Sequence, residues 1–137
     1  MYKLEGRHDG RRIIIPIQIL VPAPEHDLTA TAANALLDTG ATNSGITPII
    51  IEKLGLQSIG KRPLGSARAE EQVPRYLFRV GLEMTASERR FPFIFDAIDG
   101  FELRNSVHFD ALIGMDILRQ CNFEMRHDGG WSLAFGM

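Results

Sequence analysis

Cysteine is nearly absent from this 137-residue chain: Cys121 stands alone. It cannot close an intrachain disulfide or build a cysteine-based metal site, and it is expected in the core. No apolar stretch is long enough to cross a bilayer, because the best candidate, "IIIPIQILVPAP", is short and broken by proline. The opening "MYKLEGRHDGRR" is polar and has no apolar segment of the signal-peptide kind, so the expected location is the cytoplasm. A basic excess is also missing. Fifteen Lys and Arg against seventeen Asp and Glu give a formal charge of −2, which argues against nucleic acid as a partner. The short basic groups Arg7/Arg11/Arg12, Lys61/Arg62 and Arg89/Arg90 read as solvated surface. His8, His26, His108 and His127 are scattered without paired spacing, so no metal is expected. There is no internal repeat, low-complexity tract or linker.

What is present is enough apolar residue, 45%, for one ordinary domain spanning residues 1–137. Ile13 to Val21 is rich in β-branched residues and predicts a strand, "PAPEHDLTATAAN" a loop, and Ala35 to Leu37 a second strand, the pair forming a long hairpin. "TPIIIEKLGL" predicts a short helix with Thr47 as cap, Pro48 in the first turn and Gly55 as the stop. Residues 56–68 and 73–84 predict two strands around the polar tip "ARAEEQ". "RRFPFIFDAI" predicts another strand and "GFELRNSVHF" a surface loop. Near the end, an apolar run stops at Gly114, and Asp116 is expected to cap a short helix reaching Gln120. "NFEMRHDGGWSLAF" then predicts a hairpin turning at Asp128-Gly129-Gly130. The expected fold class is mainly β with one or two short helices.

Chemistry concentrates in "NALLDTGATNSGIT", residues 34–47. A D-[ST]-G tripeptide alone is a weak signal. Its position strengthens it: Ala35-Leu36-Leu37 carries Asp38 out of an apolar environment, and Gly40 lets the chain turn tightly beneath it. A desolvated carboxylate there is costly without hydrogen bonds or a partner. The spacing Gly40 to Gly45 also matches the start of a phosphate-binding loop, but Ile46-Thr47 follows where the lysine should be. No G-x-S-x-G elbow supports a serine nucleophile.

"ALLDTGATNSGIT" resembles the active-site loop of the retropepsin-like aspartic proteases, and "DALIGMDILRQCNFEM" resembles their second half-motif, two apolar residues and a glycine followed by a short helix. Between them "KRPLGSARAEEQVPRYLFRVGLEM" occupies the place of the flap hairpin, so the likeness runs in order from about Ile13 to the end of the chain. It is closer to the cellular and bacterial members, whose helix region also reads Gly-x-Asp-x-Leu, than to the viral ones. The resemblance implies a closed β-barrel half with a flap, and an aspartic endopeptidase that needs neither metal nor other cofactor. Two carboxyls must share a proton across one water. This chain has a single D-[ST]-G, because Asp9, Asp99 and Asp128 lack the hydroxyl residue before glycine. A homodimer pairing Asp38 with its mate is the economical solution.

The same resemblance assigns the catalytic loop to Asp38, Thr39 and Gly40. Thr39 would bond across the two-fold axis, and Gly40 would offer its carbonyl to substrate backbone. Substrate contacts fall to Ala41, Thr42 and Asn43 and, from the flap, to Gly65, Ser66 and Ala67. Leu112, Ile113 and Gly114 would pack behind the loop. Viral enzymes carry acids at the positions of Thr42 and Asn43, and an arginine at that of Met115. The partners implied are a peptide or protein substrate and a second copy of the chain, with neither nucleic acid nor membrane. The alternative is a binding or assembly module that keeps the fold without hydrolysis.

Overall fold

The computed structural model describes residues 2–63, 72–83 and 92–136. Two sheets organise them. The longer begins with β2 (Ile14–Leu20), whose register puts Ile15, Ile17 and Ile19 inside, each at most 2% exposed. Strict alternation makes this possible, since successive side chains point to opposite faces of a strand. β2 pairs antiparallel with β3 (Ala30–Leu37), forming the expected hairpin. β3 starts earlier than Ala35, however, because Thr31, Ala32 and Ala33 complete the ladder opposite Ile19, Gln18 and Ile17. Small side chains gave this half of the strand no hydrophobic signature.

After β3 come β4 (Gly45–Ile46), helix α1 (Pro48–Leu54), β5 (Gly60–Pro63), β6 (Gln72–Glu83), β7 (Pro92–Glu102) and β8 (Ala111–Ile113). Their order in the sheet is β2-β3-β8-β4-β7-β6-β5, and β2 also pairs with β6 through Gln18–Leu20 and Arg79–Gly81. The extra pairing closes β2 to β6 into a barrel and leaves β5 as an appended strand. Phe78, Val80, Leu82, Phe95, Ile98 and Ile113 fill it. Burying each large apolar side chain contributes about 1.5–3 kcal/mol.

Helix α1 starts at Pro48 and stops at Gly55, which adopts the left-handed conformation (φ 63°) and donates its N–H to Glu52. Thr47 does not cap through its side chain. Its Oγ1 is buried without a hydrogen-bond partner among the described residues, and its carbonyl accepts from the Ile51 N–H. Strand β7 runs on through Gly100, Phe101 and Glu102, which had the look of a loop. Phe101 pairs with both Arg75 and Gly45, and the missing side chain at Gly100 makes room for the ring of Phe78.

A smaller sheet has the order β1-β10-β9, built from β1 (Tyr2–Arg7), β10 (Gly130–Phe135) and β9 (Asn122–Met125). The hairpin at Asp128 to Gly130 forms as expected, with the Gly130 N–H on the Asp128 carboxylate at 2.8 Å. β1 is an additional strand, which pairs with β10 from Tyr2↔Phe135 to Arg7↔Gly130.

Two arginine arrangements hold connections in place. Arg79, 2% exposed on β6, donates to the carbonyls of Val21, Glu25 and Asp27, binding the β2–β3 connection to the barrel. Asp99 on β7 receives Arg62 of β5 at 2.8 Å and Arg75 of β6, so one carboxylate braces three strands. The hydrogen bond from Arg75 holds the Asp99 carboxyl below its ordinary range, against partial burial and with help from the charges of Arg62 and Arg75.

Candidate active site

Strand β3 delivers Asp38 from inside the sheet. Its last residues lie parallel to β8, Leu36 beside Leu112 and Leu37 beside Ile113, and the Asp38 N–H donates to the Ile113 carbonyl at 2.9 Å. The chain then leaves the ladder. The Ala41 N–H turns back to the Asp38 carbonyl at 3.2 Å, and the Gly40 N–H donates to the Asp38 carboxylate (Oδ1) at 2.9 Å. Asp38 is half-buried, while Thr39 and Gly40 are exposed. One carboxylate oxygen is thus held by the backbone at the edge of solvent.

The return path passes through β4, which lies on the far side of β8 from β3. Strand β8 is therefore threaded between the two arms of the Asp38 loop. Helix α2 (Met115–Leu118) follows it directly and meets the loop end-on. The Met115 N–H donates to the Ala41 carbonyl at 2.7 Å and the Asp116 N–H to the Thr42 carbonyl at 3.2 Å. These first-turn amides have no partner inside a helix, and the loop supplies it. Gly114 makes the approach possible, since a Cβ there would lie 2.7 Å from the Asn43 carbonyl oxygen and 2.8 Å from that of Ala41.

Ser44 and Asp116 complete the brace. The Ser44 hydroxyl donates to Asp116 Oδ1 at 2.7 Å and accepts from the Gly114 N–H at 3.0 Å, and the Ser44 N–H donates to Asp116 Oδ2 at 2.9 Å. Asp116 is therefore not the cap expected of it. Gly114 occupies the cap position, and the carboxylate reaches back to the loop. Ser44, 1% exposed, was not singled out in the sequence. Only its place before Gly45 hinted at it, and nothing in the spacing says that it meets a residue 72 positions away.

The structure brings Asp38, Thr39, Gly40, Ala41, Thr42 and Asn43 together in one loop, with Leu112, Ile113 and Gly114 behind it. The carbonyls of Ala41 and Thr42 are occupied by α2. Gly65, Ser66 and Ala67 lie outside the described residues. A cavity of about 160 Å³ opens beside the loop, lined by His8, Arg11 and Arg12 before β2, by Leu37 and Thr39, and by Phe123 and Met125 of β9. Among the described residues no cluster of His, Cys, Asp or Glu could hold a metal.

A closed barrel, a loop opening with Asp-Thr-Gly, a strand threaded between the arms of that loop and a short helix behind it together define the retropepsin-like aspartic protease fold. The structure of a retropepsin-like aspartic protease from Rickettsia conorii superimposes with a TM-score of 0.65 at 18% identity, covering 97% of this chain and 90% of that one. The chain belongs to the aspartyl protease family, whose model matches residues 27–117. EIAV protease complexed with the inhibitor HBY-793 (TM-score 0.44, 19% identity, 83% of this chain and 91% of that chain) and the retroviral protease-like domain of Ddi1 from Leishmania major (0.44, 17%, 84% and 82%) also align. No curated protein matches in sequence.

Proposed function

We propose that the protein is an aspartic endopeptidase in which two Asp38 carboxyls, one from each subunit of a homodimer, activate one water against a peptide bond. The observation that carries this reading is the Asp38 loop itself: one carboxylate, oriented by the Gly40 N–H, at the exposed tip of a rigidly braced turn. One carboxyl cannot take a proton from water and polarise the scissile carbonyl in the same step. The ionised member of a pair takes the proton, and the neutral member donates to the carbonyl oxygen. Exposure of Thr39 and Gly40 on the same tip suits contact with a mate, as does the lack of a second Asp-Thr-Gly or Asp-Ser-Gly in the chain.

Within this reading Ser44, Gly114 and Asp116 are positioning residues, because they hold the loop and touch no substrate. Thr39 bonds its counterpart across the axis. The Gly40 carbonyl and the segment Ala41 to Asn43 meet an extended peptide.

The test is hydrolysis of a peptide library by purified wild type and by Asp38→Asn. Asparagine is nearly isosteric and keeps an acceptor for the Gly40 N–H, so the variant should fold and melt like wild type and cleave nothing. Equal cleavage by both would remove Asp38 from the chemistry. Inertness of the wild type across acid and neutral pH would instead point to a binding or assembly module.

A further inference from the structure

We infer that Arg11 and Arg12, with His8 beside them, bind an acidic side chain of the peptide substrate a few residues from the scissile bond, so that the protein favours peptides carrying Glu or Asp there. The inference rests on the endopeptidase reading above and narrows its substrate class. The Leu37 N–H still donates to the Ile13 carbonyl at 3.0 Å, one step past the last pair of the β2–β3 ladder, Ile14↔Leu36. Arg12 therefore enters β2 level with Asp38, and neighbouring strands lie only about 5 Å apart. The cavity beside the loop expresses the same closeness, because Arg11 and Arg12 line it together with Thr39.

The turn before β2 holds these cations in place and leaves them unspent. The Asp9 carboxylate accepts from the N–H groups of Arg11 and Arg12, both at 2.8 Å, and His8 Nδ1 accepts from the Gly10 N–H at 3.0 Å. With Nδ1 accepting, a neutral His8 carries its ring proton on Nε2 and keeps a donor. Among the described residues the side chains of Arg11 and Arg12 make no hydrogen bond or ion pair, and the Arg12 guanidinium acts on Asp9 through charge alone. Arg7, Arg62, Arg75, Arg79, Arg104 and Arg126 each hold a carbonyl or a carboxylate instead.

Among the described residues the acids around the site are committed elsewhere. No carboxylate lines the cavity, and the loop residues Thr42 and Asn43 are neutral. Asp116 is held by Ser44, and Asp110 accepts from the Asn34 N–H at 3.1 Å. Unpaired guanidinium groups beside a peptide site select the opposite charge, and the planar fork of arginine takes a carboxylate through two parallel hydrogen bonds. Leu37, Phe123 and Met125 give the cavity apolar walls that suit the methylene stem of glutamate. An extended peptide advances about 3.3 Å per residue, so the acid lies within about four residues of the scissile bond.

The test uses fluorescent decapeptides with a central Leu-Phe bond, made in pairs that differ only by Glu or Gln at one of the other positions. Wild type should cleave the Glu form with a kcat/KM about ten-fold higher at one or two positions. That ratio should shrink in high salt and fall to near one when Arg11→Gln and Arg12→Gln are combined, with an unchanged circular dichroism spectrum. Binding of the same pairs to Asp38→Asn, followed by fluorescence polarisation, reads the contact without hydrolysis and should show the same preference, abolished by the two arginine substitutions. Glu and Gln forms that behave alike at every position in both assays would overturn the inference, as would a preference that survives both substitutions. A wild type that cleaves neither form, while Asp38→Asn binds the Glu form better in an arginine-dependent way, would leave the contact standing and overturn the proposed activity alone.

Discussion

Replacing Ser44 by alanine should loosen the Asp38 loop without touching it. The hydroxyl makes two bonds, one given to the Asp116 carboxylate at 2.7 Å and one received from the Gly114 N–H at 3.0 Å, in a position 1% exposed. A hydrogen bond to a charged group contributes about 1.5–3 kcal/mol and a neutral one about 0.5–1.5 kcal/mol, so their joint loss costs roughly 2–4 kcal/mol. For a domain of this size each kcal/mol lowers the melting temperature by about 3 °C, so the expected drop is about 6–12 °C. The assay is thermal unfolding at neutral pH, paired with peptide cleavage by the folded variant. Cleavage should lose kcat by about ten-fold, since small displacements of a reacting group are costly. Asp116→Asn turns one acceptor oxygen into an NH2 that faces either the Ser44 N–H or the Ile117 N–H, so it should lose at least as much stability. A melting temperature for Ser44→Ala within about 2 °C of wild type would refute the brace as described.

Gly114→Ala puts a methyl group against two backbone carbonyls, at 2.7 and 2.8 Å. It should destabilise by about 1–3 kcal/mol or more, read by chemical unfolding. Arg79→Lys replaces a planar donor serving three carbonyls by a point charge that cannot match them. The β2–β3 connection should then become susceptible to proteolysis. Asp99 is held below the ordinary carboxylate range by Arg75 and Arg62, so its contribution is fully present above the unfolded value near about 4. That contribution is lost as pH falls through the lower folded value. The stability gap between wild type and Asp99→Asn should therefore be present at neutral pH and vanish in acid, as melting curves across pH would show. Peptide cleavage should have a bell-shaped pH profile, because a shared pair of carboxyls works only with one proton between them. Activity rising steadily into alkali would contradict it.

The parts of the site legible in the sequence were those whose residues are neighbours in the chain. "ALLDTGATNSG" and "ALIGMDIL" each carry a strand, a turn and their glycines in a few positions, and a local motif survives without knowledge of its partners. The link between them was not legible. Asp116, two residues after a glycine at the start of a helix, has the local signature of a cap, but its further partner, Ser44, comes from a distant part of the chain. Thr47 failed for a related reason: its position suited a cap, yet its hydroxyl is buried away from the helix amides. Strand β1 escaped because only Tyr2 and Leu4 turn toward the core, too few to stand out among charged neighbours. Gly100 looked like a break, although it is a strand residue whose missing side chain accommodates Phe78.

The shared carboxyl pair is tested most directly by mixing subunits. Wild-type chains are combined with increasing amounts of Asp38→Asn chains under conditions of free exchange, with a tag on one partner to confirm heterodimers. If each site needs one Asp38 from each copy, activity per wild-type chain should fall with the wild-type fraction, to about one tenth at a roughly nine-fold excess of mutant. A site complete within one chain predicts constant activity across the whole titration, and that result, with exchange confirmed, would contradict the shared pair.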